Sequence, residues 1–131
     1  MAPAEPGRGS ASIRETDTFQ LRTGVSAILD WRVGLPVSAF QKLTFAEAAA
    51  KADALSVSSI EGSGTQKVSA QIPKNLDPKL FPGELKAVRD RLQAFNLRMP
   101  AYSVASISAD EQTLRKLFEF AKNLRVETIA F

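Results

Sequence analysis

Residues that can carry out chemistry follow predicted β-strands in this chain. Glu61 ends a short apolar run, residues 57–60, and stands directly before Gly62-Ser-Gly64. A carboxylate at this place can accept a hydrogen bond from a substrate hydroxyl or serve as an acid, and the alternative is a solvated carboxylate at a strand end. The glycine pair resembles a phosphate-cradling loop only loosely, because no helix begins directly after it.

A second polar group, Asp30, Trp31 and Arg32, follows another predicted strand, residues 19–28. Trp31 can stack on the face of a sugar, and Arg32 can bind a phosphate or a carboxylate. The alternatives are a tryptophan that packs over the rim of the sheet and an arginine that is only solvated.

Three further candidates come later in the chain. Tyr102 and Ser103 end a predicted third strand. Tyr102 is either a hydrogen-bonding wall of a site or a core aromatic residue with its hydroxyl at the rim. Lys67 lies in a long polar loop, residues 62–81, where it can contact an anionic substrate or remain a solvated surface residue.

Composition excludes several classes of protein. The chain has no cysteine and no histidine, which removes disulfides, thiolate metal sites, the commonest general base and the commonest zinc ligand. The 17 basic and 14 acidic residues are interleaved, so a nucleic-acid footprint is not predicted. No apolar stretch reaches the roughly 18 residues of a membrane span, and no signal peptide is expected.

Residues 1–18 are rich in Pro, Gly, Ala and Ser and are predicted to be a disordered lead-in.

Strands and one-faced helices alternate along the remaining residues in the order β-α-β-α-β-α-β. Capping boxes are predicted at Thr44–Glu47 and Ser108–Glu111, and Pro82 suits the first turn of the middle helix. The first helix has apolar residues through Leu55 on its buried face, and the last helix includes Phe118 on its buried face. Such alternation predicts parallel β/α units. The final run, residues 126–131, reads as a buried strand, so we expect the chain to be the first part of a larger domain.

Three helix-to-strand returns share one form, with Ser56, Asn96 and Arg125 at the place where a helix end favours glycine. Each is predicted either to adopt the left-handed conformation, at a cost on the order of 1 kcal/mol for a misfitting residue, or to follow a helix that closes differently.

Four stretches of sequence resemble the N-terminal half of the sugar phosphate isomerase/epimerase family, the xylose isomerase-like TIM barrels: residues 43–55, 57–61, 85–100 and 115–129. Residues 115–129 are the most specific part of the match. The resemblance implies an α/β fold in which residues 19–131 form an incomplete (β/α)8 barrel. The sites of such barrels lie at the carboxyl ends of the strands, which is where Glu61, Trp31 and Ser103 fall.

The same resemblance implies a metal-dependent isomerase or epimerase that acts on a sugar or polyol, with Mn, Mg, Co or Zn as the divalent ion. The family's metal ligands, including a histidine, come mainly from the second half of the barrel. This chain is therefore expected to be inactive alone, with no catalytic residue or metal ligand of its own. It also departs from the family where Ser56 and Arg125 replace glycine and where Ser103 replaces a frequent histidine.

Three functions remain open at this stage. The chain is the first half of an isomerase barrel and poorly soluble alone, or a non-catalytic half-barrel that pairs with itself or a C-terminal half through an open sheet edge. The third reading is a carbohydrate-binding domain that keeps a pocket without the metal. The second predicts a dimer that needs no metal, and the third predicts sugar binding that EDTA does not abolish.

Overall fold

The structure, a computed structural model, describes residues 33–131. The predicted lead-in (1–18), the predicted strand at 19–28, and Asp30, Trp31 and Arg32 lie outside the described residues. The described elements are strands β1 (Gly34–Leu35), β2 (Ser59–Ile60), β3 (Gly62–Ser63), β4 (Ala101–Ser103) and β5 (Thr128–Ala130), a 3-10 helix (Val37–Phe40), and helices α1 (Phe45–Ala54), α2 (Pro82–Ala94) and α3 (Glu111–Asn123).

All the strand pairs are parallel. One pair joins β1 to β2, and a second sheet has the order β3-β4-β5. The two are linked because the Ile60 amide donates to the Arg98 carbonyl at 2.9 Å, and Arg98 bridges to Ser59. Strands therefore follow each other across the sheet in chain order, with helices in the connections. This confirms an α/β fold of parallel β/α units.

Residues 59–63 form one extended strand that, like β4, has neighbours on both sides. β2 pairs with β1, β3 pairs with β4, and the Glu61 amide between them donates to the Leu35 carbonyl at 2.9 Å. The prediction that the loop begins at Gly62 is wrong by two residues. Gly62 belongs to the strand and packs so closely that a Cβ there would lie 2.4 Å from Met99 Sδ. Gly34 lies in β1, beyond the strand predicted at residues 19–28.

The helices begin as local sequence predicts, with one exception. Glu47 Oε2 accepts from the Thr44 amide at 2.8 Å, and the Thr44 hydroxyl accepts from the Glu47 amide, which confirms the first capping box. The predicted box at Ser108 is wrong. Asp110 is the N-cap of α3, because its carboxylate accepts both the amide and the hydroxyl of Thr113 at 2.8 Å.

The helices pack one face each against the sheet. The buried residues include Phe45, Ala48, Ala49 and Ala52 of α1, Val88 and Leu92 of α2, Leu117, Phe120 and Ala121 of α3, and Ile60, Met99 and Tyr102 beneath them.

Two helix residues and a strand that were predicted to be buried are exposed. Leu55 and Phe118 are each 61% exposed. Leu55 follows the last residue of α1, and Phe118 lies beside the α3 face formed by Leu117 and Phe120. The terminal strand is also exposed at Thr128 and Ala130, because β5 pairs with β4 alone among the described residues.

The three returns adopt the predicted left-handed conformation, with φ of 56° at Ser56, 50° at Asn96 and 55° at Arg125. Each helix closes with the same hydrogen bond, from the amide after the left-handed residue to a carbonyl five residues earlier. At the first return the Val57 amide donates to the Ala52 carbonyl at 2.9 Å. The tight return brings each helix directly into the next strand.

We expect Ser56→Gly and Arg125→Gly each to raise the free energy of unfolding by about 1 kcal/mol, since glycine adopts positive φ without the Cβ penalty. Asn96→Gly should gain less, because asparagine tolerates this conformation. Urea unfolding of the three variants measures the difference. Ser56→Ala is the control: it keeps a Cβ, and a gain as large as that of glycine would contradict the explanation.

Acid should weaken the helix N-termini. The pKa of Glu47 is lowered by the Thr44 amide, that of Glu84 by Lys74 and the Phe81 amide, and that of Asp110 by Thr113. A carboxyl with a lowered folded pKa stabilises the fold above its unfolded pKa, and this contribution is lost as pH falls through the folded pKa.

Glu47→Gln should therefore flatten the decline of stability below roughly pH 4.5, the ordinary range of a glutamate pKa. Urea unfolding at a series of acidic pH values measures the slope. Glu119→Gln, on the exposed side of α3, is the matched control. Equal slopes for wild type and Glu47→Gln would refute the assignment.

Candidate functional site

Polar side chains meet at the carboxyl ends of the parallel strands, and we call Glu61, Ser63, Thr65 and Ser103 the strand-end cluster. Ser63 and Ser103 are partners in the parallel register of β3 and β4. Tyr102, next to Ser103, points into the core. Because side chains alternate along a strand, Ser103 lies on the face away from the helices.

Glu61 lies between the part of the strand that pairs with β1 and the part that pairs with β4. Its side chain is half-buried, and Oε2 accepts a hydrogen bond from the Val37 amide at 3.2 Å, at the start of the 3-10 helix that follows β1. Among the described residues no hydrogen bond reaches Oε1. Within the described residues the carboxylate is therefore held through one oxygen.

Hydroxyl groups and the backbone fix the rest of the cluster. The Ser63 and Thr65 hydroxyl oxygens are 2.9 Å apart, and the Thr65 amide donates to Ser63 Oγ at 3.2 Å. The Gly64 amide donates to the Ser103 carbonyl at 2.9 Å, and Ser103 Oγ donates to the Gly62 carbonyl at 3.4 Å. The ends of two strands are thus joined into one polar edge.

Tyr102 lies beneath this edge and is fully buried. Its hydroxyl donates to the Leu76 carbonyl at 2.6 Å, and its ring centroid is 5.1 Å from that of Phe120. Burial raises the pKa of the Tyr102 phenol, and the charge of Asp77 adds to the shift. The structure thus favours the core alternative for Tyr102. Its hydroxyl oxygen packs against Gly64, where an added Cβ would lie 2.9 Å from it.

Lys67 lies in the long loop and takes no part in the hydrogen bonds that join the strand-end cluster. Lys67 is exposed, and its backbone carbonyl accepts from the Phe45 amide at 2.7 Å at the start of α1. Its neighbour Gln66 is buried and donates through Nε2 to the Leu43 carbonyl at 3.2 Å. Gln66 Oε1 is buried without a partner among the described residues. The loop is thereby attached to the segment before α1.

Trp31 and Arg32 lie outside the described residues, and their proposed ligand contacts stay predictions. Of the other candidates, the structure places Glu61 and Ser103 at the carboxyl ends of adjacent strands. Sequence reasoning missed Ser63 and Thr65 because it ended the strand at Glu61. The signal was present: Ser63 follows Glu61 by two residues, which places both on one face if the strand continues.

The described residues do not fit a divalent-metal site. Within 33–131 no group of three or more Asp or Glu residues could hold an ion, and the strand-end cluster has one carboxylate among hydroxyls. Mg²⁺ and Mn²⁺ favour several oxygen ligands in a fixed geometry. In the same residues no helix is long and apolar enough to cross a membrane.

No family model and no curated protein matches this chain. Among solved structures it is similar to an uncharacterised protein from Parabacteroides distasonis, with a TM-score of 0.68 and 25% identity. The match covers 76% of this chain and 42% of that one, so this chain spans less than half of that structure's length. The similarity supports the α/β fold and names no activity.

Tyr102 is the only tyrosine of the chain, which makes its ionisation directly measurable. We expect the tyrosinate absorbance to be absent at about pH 10, the ordinary tyrosine pKa, and to rise only at higher pH or on unfolding. Tyr102→Phe should lower the free energy of unfolding by about 1–3 kcal/mol, since it leaves the buried Leu76 carbonyl without its donor. An ordinary titration curve in the folded protein would contradict the buried phenol.

Proposed function

We propose that this chain is the substrate-binding first half of a sugar isomerase/epimerase-like (β/α)8 barrel and holds hydroxyl groups of a sugar or polyol. The observation that carries the proposal is the strand-end cluster, in which Glu61, Ser63 and Ser103 lie at the carboxyl ends of neighbouring parallel strands. Barrels of this class keep their sites at that edge.

The strand order supports the barrel part of the proposal. Among the described residues β1, the strand of residues 59–63, β4 and β5 lie side by side in chain order, without the reversal of order that a doubly wound sheet requires. The similar solved structure is more than twice as long as the region matched, since that region is 42% of it. Both facts agree with a sheet that further β/α units continue.

The donors and acceptors of the cluster suit a hydroxyl-rich ligand. A carboxylate oxygen accepts from a hydroxyl, and a serine hydroxyl both donates and accepts. Glu61 is already held by the Val37 amide, so it would meet a ligand with little loss of side-chain freedom. Glu61 would bind one hydroxyl of the ligand, while Ser63 and Ser103 would orient the adjacent ligand hydroxyls.

The chemistry of isomerisation is not assigned to these residues. A divalent ion, when bound by a complete family member, polarises a carbonyl and the adjacent hydroxyl. The described residues do not supply its ligands, so this half contributes substrate binding and orientation. The experiment for this half is therefore a binding measurement.

A second candidate is a carbohydrate-binding module that needs no metal. The composition of the cluster, one carboxylate with three hydroxyl side chains, favours it as a site complete without an ion. The two candidates differ in the effect of EDTA and of added Mn²⁺ on affinity. Binding that neither changes is expected of the module, whereas a barrel half, whose ion is held mainly by the other half, should respond to Mn²⁺ only when that other half is present.

Titration calorimetry with a panel of aldoses, ketoses, polyols and sugar phosphates tests the proposal. We expect Glu61→Gln to weaken binding of the best ligand about 10- to 100-fold, the equivalent of one charged hydrogen bond of about 1.5–3 kcal/mol. Ser103→Ala should weaken it less, because a neutral hydrogen bond contributes less.

Glu119→Gln is the matched control, as it removes a carboxylate charge from the exposed side of α3 and should leave affinity unchanged. Circular dichroism must show that Glu61→Gln keeps its fold, since Glu61 also binds the Val37 amide. No binding by the wild-type chain to any member of the panel would refute both candidates for this chain.

A further inference from the structure

A second concave surface lies between α1, α2 and the loop that precedes α2, and we call it the α1–α2 pocket. It has a volume of about 300 Å³, and Phe45, Val68, Ile72 and Val88 form much of its apolar wall. This volume is at the lower end of the range for small-molecule sites, which are mostly apolar with a few polar groups.

The loop that closes the pocket is an ordered hairpin, residues 66–76. The Val68 amide donates to the Lys74 carbonyl at 2.9 Å, and the Ser69 amide donates to the Ile72 carbonyl at 3.1 Å at the tip. The tip residues of this hairpin therefore have a defined position over the two helices.

Both helices hold the hairpin in place. At the start of α1, the Ala46 amide donates to the Val68 carbonyl at 2.9 Å. At the start of α2, Lys74 Nζ lies 2.7 Å from Glu84 Oε1. The walls of the pocket are thus fixed before a ligand arrives, which lowers the entropy lost on binding. They belong to α1, the hairpin and α2, so the pocket is separate from the strand-end cluster and from the edge strand β5.

Arg91 is the only charged residue among those that line the pocket. Its guanidinium carbon lies 5.1 Å from the centroid of the Phe95 ring, one turn later in α2. Within residues 33–131 no carboxylate forms an ion pair with Arg91. A guanidinium presents a planar fork of donors that matches the two oxygens of a carboxylate.

Two further features of the pocket favour an anion. Ser69 Oγ accepts from the Ile72 amide at 3.0 Å, and a serine hydroxyl that accepts one hydrogen bond can still donate its own proton. Phe45 is the first residue of α1, so the positive end of that helix dipole lies at the pocket wall. No acidic side chain lines the pocket to oppose these groups.

We propose that the α1–α2 pocket binds a small carboxylate with an apolar body, such as an aromatic or branched aliphatic acid. The apolar body would lie against Val68, Ile72 and Val88, and the carboxylate would bind Arg91 and the Ser69 hydroxyl. A bare inorganic anion would leave the apolar wall unused, and a neutral hydrocarbon would leave Arg91 without a partner.

This ligand differs in class from the sugar or polyol proposed for the strand-end cluster. The two sites share no residue, so either proposal can fail while the other stands.

An NMR titration of the full chain with benzoate tests the pocket. We expect saturable shifts of the Val68, Ser69 and Ile72 amides with a Kd on the order of 1 mM, which is ordinary for so small a ligand. Acetate and benzyl alcohol should each bind about 10-fold more weakly or less, because each supplies only one half of the match.

Charge removal at Arg91 tests the role of the guanidinium. Arg91→Gln should raise the Kd for benzoate about 10-fold, as expected for the loss of a charged hydrogen bond. Arg89→Gln is the matched control, since it removes the same charge from the same helix at a side chain that donates to Asn123 of α3 instead. It should leave the Kd unchanged.

Filling the pocket tests its location without a change of charge. Ala87 lines the pocket and is exposed, so Ala87→Phe should abolish the benzoate shifts while the amide spectrum shows that the fold is kept. Ala94→Phe is the control, because Ala94 is exposed at the end of the same helix and lies outside the pocket lining.

Absence of saturable shifts with benzoate would overturn the proposal. Equal affinity for benzoate and benzyl alcohol would also overturn it, as would equal effects of Arg91→Gln and Arg89→Gln. Shifts confined to Ser63 and Ser103 would place the carboxylate at the strand-end cluster and would refute the α1–α2 pocket as its site.

Discussion

Two-sided pairing of residues 59–63 is the constraint on which the rest of the structure depends. This strand bonds to β1 through its first part and to β4 through its last part, and Glu61 lies at the change. At Gly62 the side chains of Met99 and Leu76 pack against the strand in the space that a Cβ would occupy. The pairing also brings the strand ends together, so the same constraint that builds the sheet creates the polar edge.

Core and site are coupled through Tyr102. Its ring packs against Phe120 of α3, while its hydroxyl holds the Leu76 carbonyl of the long loop and lies against Gly64. A loop of this length has a large conformational entropy to lose on folding. Buried hydrogen bonds at Leu76 and at Gln66 fix both ends of the segment between them.

The apolar surface between α3 and β5, called the α3 groove, has the reverse character. At the strand-end cluster hydrogen bonds join the elements, whereas at the α3 groove apolar side chains and an edge strand lack neighbours within residues 33–131. The cluster suits a small polar ligand, and the groove suits a protein surface. The two surfaces are assigned to different binding partners because one is polar and the other is apolar.

Sequence alone determined the features that depend on a few neighbouring residues. Thr44 and Glu47 cap α1 through groups three residues apart, and the left-handed returns at Ser56 and Asn96 follow from the short connection between a helix and the next strand. At the site, Glu61 and Ser103 could be predicted because a strand end is a local feature. Tertiary structure decided what depends on distant partners. Ser63 joined the site because pairing with β4 extends the strand past Glu61, and Tyr102 became a core residue whose hydroxyl donates a hydrogen bond to the Leu76 carbonyl. β5 is exposed because burial of a strand requires neighbours that its own residues cannot supply.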